Sequence, residues 1–172
     1  MTGLVVPAFY TGGRPPGGDI QQLVDILSQQ MNEPAALIGA ATVTTSLTNG
    51  IATLVNMDTE VYDNDGMHST VTNPERIVVQ TAGTYEVIGS IGFSVNVTGY
   101  RIILVTKNGG AFARAGDQAG PVSVHHVIQA RGIVQCSVGD YFQVFGQQAS
   151  GGNLATIASP AYTYFLAHRV SD

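Results

Sequence analysis

Charge is scarce in this sequence. Of its 172 residues only 11% are Asp, Glu, Lys or Arg, against about 25% in an average domain. Residues 34–57 carry no charged side chain at all. Ser, Thr, Asn, Gln and Gly must therefore supply most of the polar surface. Such depletion fits a surface largely buried against other subunits, since the centres of subunit contacts are poor in charge. A neutral, Thr-rich β surface is the plainer alternative. The net charge of −5 offers no basic footprint for nucleic acid.

Other absences narrow the field. The single cysteine, Cys136, excludes an internal disulfide framework and fits folding in a reducing cytoplasm. No apolar run reaches the roughly 18 residues of a membrane helix, and no charged-then-apolar leader opens the chain. There is no Gly-x-Ser-x-Gly elbow and no Gly-Lys-Ser/Thr phosphate loop. Cys136 lies in an apolar stretch without a motif around it, which suits a buried inert thiol. The acidic residues fall mostly in turn sequences, as at Asp63, Asp65, Asp117 and Asp140, and the four histidines are His68, His125, His126 and His168. No catalytic constellation emerges, so a non-enzymatic protein without a cofactor is expected.

What is present divides the chain into three stretches: 1–33, 34–57 and 58–172. The first begins with Pro7, Pro15, Pro16 and five glycines within residues 1–18, a composition that holds neither a helix nor a central strand. Leu4, Val5, Val6, Phe9 and Tyr10 are too many apolar residues for a solvated linker and suggest an adhesive arm. The Gly-Arg-Pro-Pro-Gly-Gly run is not continued by a collagen period. Asp19 is a good N-cap. Ile20, Leu23, Val24, Leu27 and Met31 then recur at helical spacing, and Asn32 and Pro34 close the helix. Its stripe must dock, on its own domain or on a neighbour. Together, arm and helix form a candidate anchor. Residues 34–57 read as an uncharged, β-rich connection into a head formed by 58–172.

From Thr42 onward the pattern is β. Strands are expected at Thr42–Leu47, Ile51–Val55, Arg76–Gln80, Thr84–Val97, Tyr100–Lys107, Tyr141–Gln147 and Ala161–Val170. Val122–Cys136 reads as two strands meeting near Ala130–Gly132. Turn signals separate them: Thr48-Asn49-Gly50, Asp63-Asn64-Asp65-Gly66, Asn108-Gly109-Gly110, Gly139-Asp140 and Gly151-Gly152-Asn153. Eight or more short strands at regular spacing, with no second helix, argue for an all-β sandwich or jelly roll. Tyr85, Phe93, Phe142, Phe145, Tyr162 and Phe165 are candidates for its core or for a seam between subunits.

Several fragments, in order, carry a resemblance. They are Thr81-Ala82-Gly83-Thr84-Tyr85-Glu86-Val87, then Phe93-Ser94-Val95-Asn96, Gly99-Tyr100-Arg101-Ile102 running to Lys107-Asn108-Gly109, Val138-Gly139-Asp140-Tyr141-Phe142-Gln143-Val144, and Phe165-Leu166-Ala167-His168-Arg169-Val170. From about Ile51 to Val170 the chain resembles the C1q/TNF-like jelly-roll superfamily. The resemblance implies a jelly-roll sandwich and a compact threefold homotrimer. The sequence upstream has neither a collagen stalk nor a transmembrane stalk, so bacteriophage and bacterial members with short N-terminal anchors fit better than animal signalling ligands.

Two metal possibilities accompany this reading. His125 and His126 are adjacent and would face opposite sides of a strand, so only symmetry copies around a threefold axis would make a three-His site. Asp63-Asn64-Asp65-Gly66 opens like a calcium loop but lacks the downstream acidic ligand. It remains a candidate because some C1q-like trimers hold calcium near their axis. The expectation is a trimeric capsid decoration protein on a virion surface, made in the host cytoplasm. Its partners would be the major capsid protein or a tail protein, without nucleic acid or membrane insertion. The alternatives are a tail or baseplate adhesin binding a host surface receptor, and a soluble C1q-like ligand or lectin.

Overall fold

The structure, a computed structural model, describes residues 32–120 and 125–171 together with Gln22 and Val24. The chain divides into two units, residues 1–33 and 34–172, and the second carries every described strand. In chain order these are β1 (Ala35–Gly39), β2 (Ser46–Leu47), β3 (Thr53–Leu54), β4 (Thr59–Asp63), β5 (Ile77–Val78) and β6 (Gly83–Phe93). There follow β7 (Tyr100–Lys107), β8 (Gly110–Gln118), β9 (His126–Cys136), β10 (Tyr141–Gln148), β11 (Leu154–Ala155) and β12 (Tyr164–Ser171). Among the described residues no helix is long and apolar enough to cross a membrane.

Two sheets form the layers. One has the order β4-β1-β12-β6-β9; the other runs β3-β10-β7-β8, with β5 also paired to β10, and β2 pairs with β11 in a two-stranded ribbon. Every strand pairing is antiparallel. Alternation explains the layering. On β6, Tyr85, Val87, Ile91 and Phe93 are fully buried while Thr84, Glu86 and Ile88 are half-buried, the period of two that turns one face inward. Ile103 and Val105 of β7, Phe142 and Val144 of β10 and Phe165 of β12 complete the core between the sheets. The Tyr85 and Phe142 rings pack 6.3 Å apart, and Tyr85 Oη donates to the Thr81 carbonyl at 2.7 Å, so the buried phenol keeps a partner.

The β7–β8 hairpin turns on Asn108 and Gly109, whose φ values are 51° and 82°. Positive φ at both central residues suits the twist of the flanking strands, and Asn-Gly is the pair that tolerates it. Residues 34–57 contain β1, which pairs with β12 on one side and β4 on the other.

Several strand expectations need correction. Thr42–Leu47 and Ile51–Val55 reduce to the two-residue strands β2 and β3. β6 stops at Phe93, not Val97, because the Asn96 and Thr98 carbonyls accept from the Arg101 guanidinium instead of a ladder neighbour. The stretch ending at Cys136 is one strand from His126, continuous through Gly132. Phe112 explains this: its ring lies 2.8 Å from where a Gly132 Cβ would stand. The glycine makes room for a packed aromatic and does not break the strand. β8, β1 and β4 are additional to the sequence reading.

Candidate assembly face

The outward face of the β4-β1-β12-β6-β9 sheet has an unusual composition. Register aligns one residue from each strand into a row: Tyr62 opposite Leu37, Leu37 opposite Leu166, Leu166 opposite Ile88, and Ile88 opposite Arg131. At about 4.8 Å between strands this row spans roughly 20 Å, and four of its five members are apolar or aromatic. Leu37, Leu166 and Ile88 are half-buried and Tyr62 is 50% exposed. The next row sets Ala35, His168, Glu86 and Ile133 side by side, and Ile133 is 63% exposed.

The charges on this face are paired among themselves. Arg131 Nη2 donates to Glu86 Oε1, and His168 Nε2 lies 3.5 Å from Glu86 Oε2. A third row holds Tyr164 opposite Ser90 and Ser90 opposite Gln129, with Gln129 Nε2 donating to Tyr164 Oη at 2.6 Å. The result is an apolar band edged by internally satisfied polar groups, the composition of a subunit contact centre and its rim.

The aromatic candidates separate by depth. Tyr85, Phe93, Phe142 and Phe165 lie in the core at zero exposure. Phe145 is half-buried and opposes Leu104 on the outward side of the second sheet. Tyr162 is 41% exposed, with its ring 6.2 Å from that of His125. The anchor candidates Leu4, Val5, Val6, Phe9, Tyr10, Ile20, Leu23 and Leu27 lie outside the described residues; Val24 is helical and exposed.

The metal candidates do not converge within the chain. Asp63 Oδ1 accepts from the Asp65 amide at 3.0 Å and Oδ2 from the His68 amide at 2.9 Å, while Asn64 Oδ1 accepts from the Ala35 amide at 2.7 Å. The loop's side chains close a turn and tie it to β1. His126 Nε2 faces Asp117 Oδ2 at 3.5 Å, and His125 contacts Tyr162. Among the described residues no group of three or more His, Cys, Asp or Glu side chains is placed to hold an ion.

Perturbed ionisation follows structural corners. Asp140 is lowered to about 2 by hydrogen bonds from Lys107, Asn108 and the Ser137 amide. Burial raises Asp58, but hydrogen bonds from the Thr42 hydroxyl and the Ala41 and Thr42 amides outweigh it and leave the carboxyl below its ordinary value. Burial pushes the Cys136 thiol up and the Arg101 guanidinium down. Asp140 and Cys136 share the corner between β9 and β10, while Asp58 lies beside residues 41 and 42 and Arg101 on β7.

Solved structures share this architecture. Murine APRIL at pH 5.0 superposes with a TM-score of 0.62 at 15% identity, covering 80% of this chain and 99% of that one. Eiger TNF from S. frugiperda gives 0.60 at 12% identity, covering 81% and 94%. The globular domain of the zebrafish complement 1qA protein gives 0.55 at 12%, covering 80% and 98%. No protein-family model and no curated protein matches the sequence. The fold is thus an all-β, C1q/TNF-like jelly-roll sandwich. The residues of the outward row escaped the sequence reading because β6 and β12 carry apolar side chains on both faces, and only the pairing register reveals which of them line up outside.

Proposed function

We propose that this chain is a non-enzymatic homotrimer, closed about a threefold axis through the outward face of the β4-β1-β12-β6-β9 sheet. The observation that carries this reading is the row Tyr62–Leu37–Leu166–Ile88, an apolar band beside charges already neutralised by one another. Such a band loses little polar solvation on burial and gains the hydrophobic term. A closed ring also covers the same face on every copy, leaving none exposed. The scarcity of charge and the C1q/TNF-like fold favour the same arrangement. In this reading the head is displayed on a bacteriophage particle as a capsid decoration protein, with residues 1–33 as its anchor. The adhesive composition of that segment supports the assignment.

Light scattering of the purified full chain tests the assembly: a mass near three times 18.0 kDa is expected. The double variant Leu166→Asp, Ile88→Asp should run as a monomer with a β-type circular dichroism spectrum. A wild-type monomer at micromolar concentration overturns the reading. Gold labelling of intact virions tests the placement, with label spread over the capsid expected. Label confined to the tail would move the protein to host adhesion, and absence from particles would leave a soluble C1q-like ligand or lectin.

A further inference from the structure

The second sheet carries a different kind of surface. On its outward side a groove of about 780 Å³ is lined chiefly by Tyr100 and Ile102 of β7, Arg114, Gly116 and Gln118 of β8, and Gln147 of β10. Register builds it. Gln118 opposes Tyr100, Gly116 opposes Ile102, and Ile102 opposes Gln147, so all share one face. Gly116 stands midway between Arg114 and Gln118, which lie about 13 Å apart at the rise of an antiparallel strand. A side chain at 116 would fill the floor, since its Cβ would sit 3.0 Å from Ile102 Cγ1 and 3.1 Å from the Arg101 carbonyl oxygen. The hollow exists because position 116 has none.

The lining is chemically specific. Arg114 is exposed, and among the described residues no acid pairs with its guanidinium. The carboxylate that also lines the groove, Asp117, is engaged elsewhere: Oδ1 accepts from the Gln118 amide at 2.7 Å and Oδ2 faces His126 Nε2 at 3.5 Å. Gln147 Nε2 donates to the Gly50 carbonyl at 2.8 Å, which fixes the amide and leaves Oε1 as an acceptor. Tyr100 contributes a half-buried ring. A half-buried ring, two side-chain amides and an unpaired planar cation surround a small floor of Ile102, Ala115 and the Gly116 backbone.

We infer that this groove binds a saccharide bearing a carboxylate, such as a sialic or uronic acid, with Arg114 on the carboxylate and Tyr100 against the sugar ring. The guanidinium fork matches a carboxylate with two parallel hydrogen bonds. The electron-rich face of Tyr100 suits the C–H face of a pyranose. Gln118 and Gln147 each offer both donor and acceptor capacity to hydroxyls. An apolar peptide has too little greasy surface here to bury, and one cation cannot follow a nucleic-acid backbone. The site lies on the opposite sheet from the proposed assembly face and does not depend on trimer formation.

The test is titration of the isotope-labelled full chain with sialyllactose, a glucuronic-acid disaccharide and lactose, followed by amide chemical shifts. Sialyllactose or the glucuronic-acid disaccharide should shift resonances of residues 100–104, 114–118 and 147 with a Kd of about 0.1–5 mM, the weak range of small ligands. Arg114→Ala should weaken binding at least tenfold and Tyr100→Ala likewise, while Arg114→Lys should recover only part. Arg114 is exposed and Tyr100 half-buried, and an unchanged spectrum elsewhere verifies the fold of all three variants. No shifts with either acidic sugar, shifts unaffected by Arg114→Ala, or lactose binding as tightly as sialyllactose would each overturn the inference.

Discussion

Lys107 Nζ lies 2.8 Å from Asp140 Oδ2 and also donates to the Gln135 carbonyl at 2.7 Å, so one ammonium fastens the β7–β8 hairpin to the β9–β10 turn. Asn108 closes the same corner twice: its Nδ2 donates to Asp140 Oδ1 at 2.7 Å and its Oδ1 accepts from the Tyr141 amide at 3.0 Å. The Ser137 amide adds a bond to Asp140 Oδ2 at 2.8 Å. Three donors on one carboxylate, Lys107, Asn108 and the Ser137 amide, explain why the acid is lowered to about 2.

A group whose folded pKa is depressed stabilises the fold above its unfolded value and loses that contribution as pH falls through the folded one. Asp140→Asn is therefore expected to cost on the order of 1–2 kcal/mol at pH 7, after allowance for screening of a corner still touched by solvent. The deficit should shrink between about pH 4 and pH 2. Urea unfolding of both proteins at pH 7 and near pH 2.5 reads the difference directly, and an equal deficit at both values would refute the ionic account.

Among the described residues Arg101 is the largest fully buried side chain. Its guanidinium donates to the carbonyls of Asn96 at 2.9 Å, Thr98 at 3.0 Å and Tyr100 at 2.8 Å, and its centre lies 6.0 Å from the Phe93 ring. Removing it relieves a desolvated charge but strips three carbonyls of their donors. With three charge-assisted bonds at stake, the loss should dominate: Arg101→Met is expected to destabilise by about 2–3 kcal/mol. Residues 94–99 should also lose hydrogen-exchange protection. Stability equal to wild type would mean that those carbonyls find other donors.

These two residues also mark what the sequence could and could not disclose. The alternation of Tyr85, Val87 and Phe93 and the apolar run at Tyr100–Lys107 were readable because a half-buried strand writes its geometry at period two. β8 was not, because Gly110–Gln118 contains a single large apolar residue, Phe112, as suits an edge strand with one face in solvent. Gly132 read as a break because a glycine's reason for being small lies in a distant partner, here Phe112. Arg101 read as part of a hairpin motif, and nothing local showed that its guanidinium serves the preceding loop. The assembly row and the groove depend on cross-strand register, which joins Tyr62 to Leu37 and Leu166, or Gly116 to Ile102, over long separations.

Gly99 and Gly151 separate two costs of a side chain. Both have positive φ, 72° and 91°. Around Gly151 a Cβ would meet nothing within 4 Å, whereas at Gly99 it would stand 1.7 Å from the Ala149 carbonyl oxygen. Gly151→Ala should therefore cost only the conformational term, about 1 kcal/mol, and lower Tm by roughly 2–4 °C. Gly99→Ala must also push the Ala149 backbone aside and should cost at least about 3 kcal/mol. Paired melting curves check this, and equal shifts would show that the β6–β7 loop yields freely.

Cys136 provides a probe of global opening. It ends β9 opposite Gly83, is 2% exposed, and its Sγ contacts the Val134 carbonyl at 3.6 Å. Burial raises its pKa; the Lys107 charge opposes this, and the Asp140 charge adds a lesser push upward. Reaction with a disulfide reagent needs a thiolate and access to it, and the folded site restricts both. Labelling of the native protein should be slower than that of the urea-unfolded chain by at least about a hundredfold. If access requires global unfolding, labelling should accelerate in Asp140→Asn by the same factor as its loss of stability, since the open population follows the global free energy. Native labelling as fast as the unfolded control, or a rate indifferent to Asp140→Asn, would show that this strand end opens locally and leaves the rest of the sandwich intact.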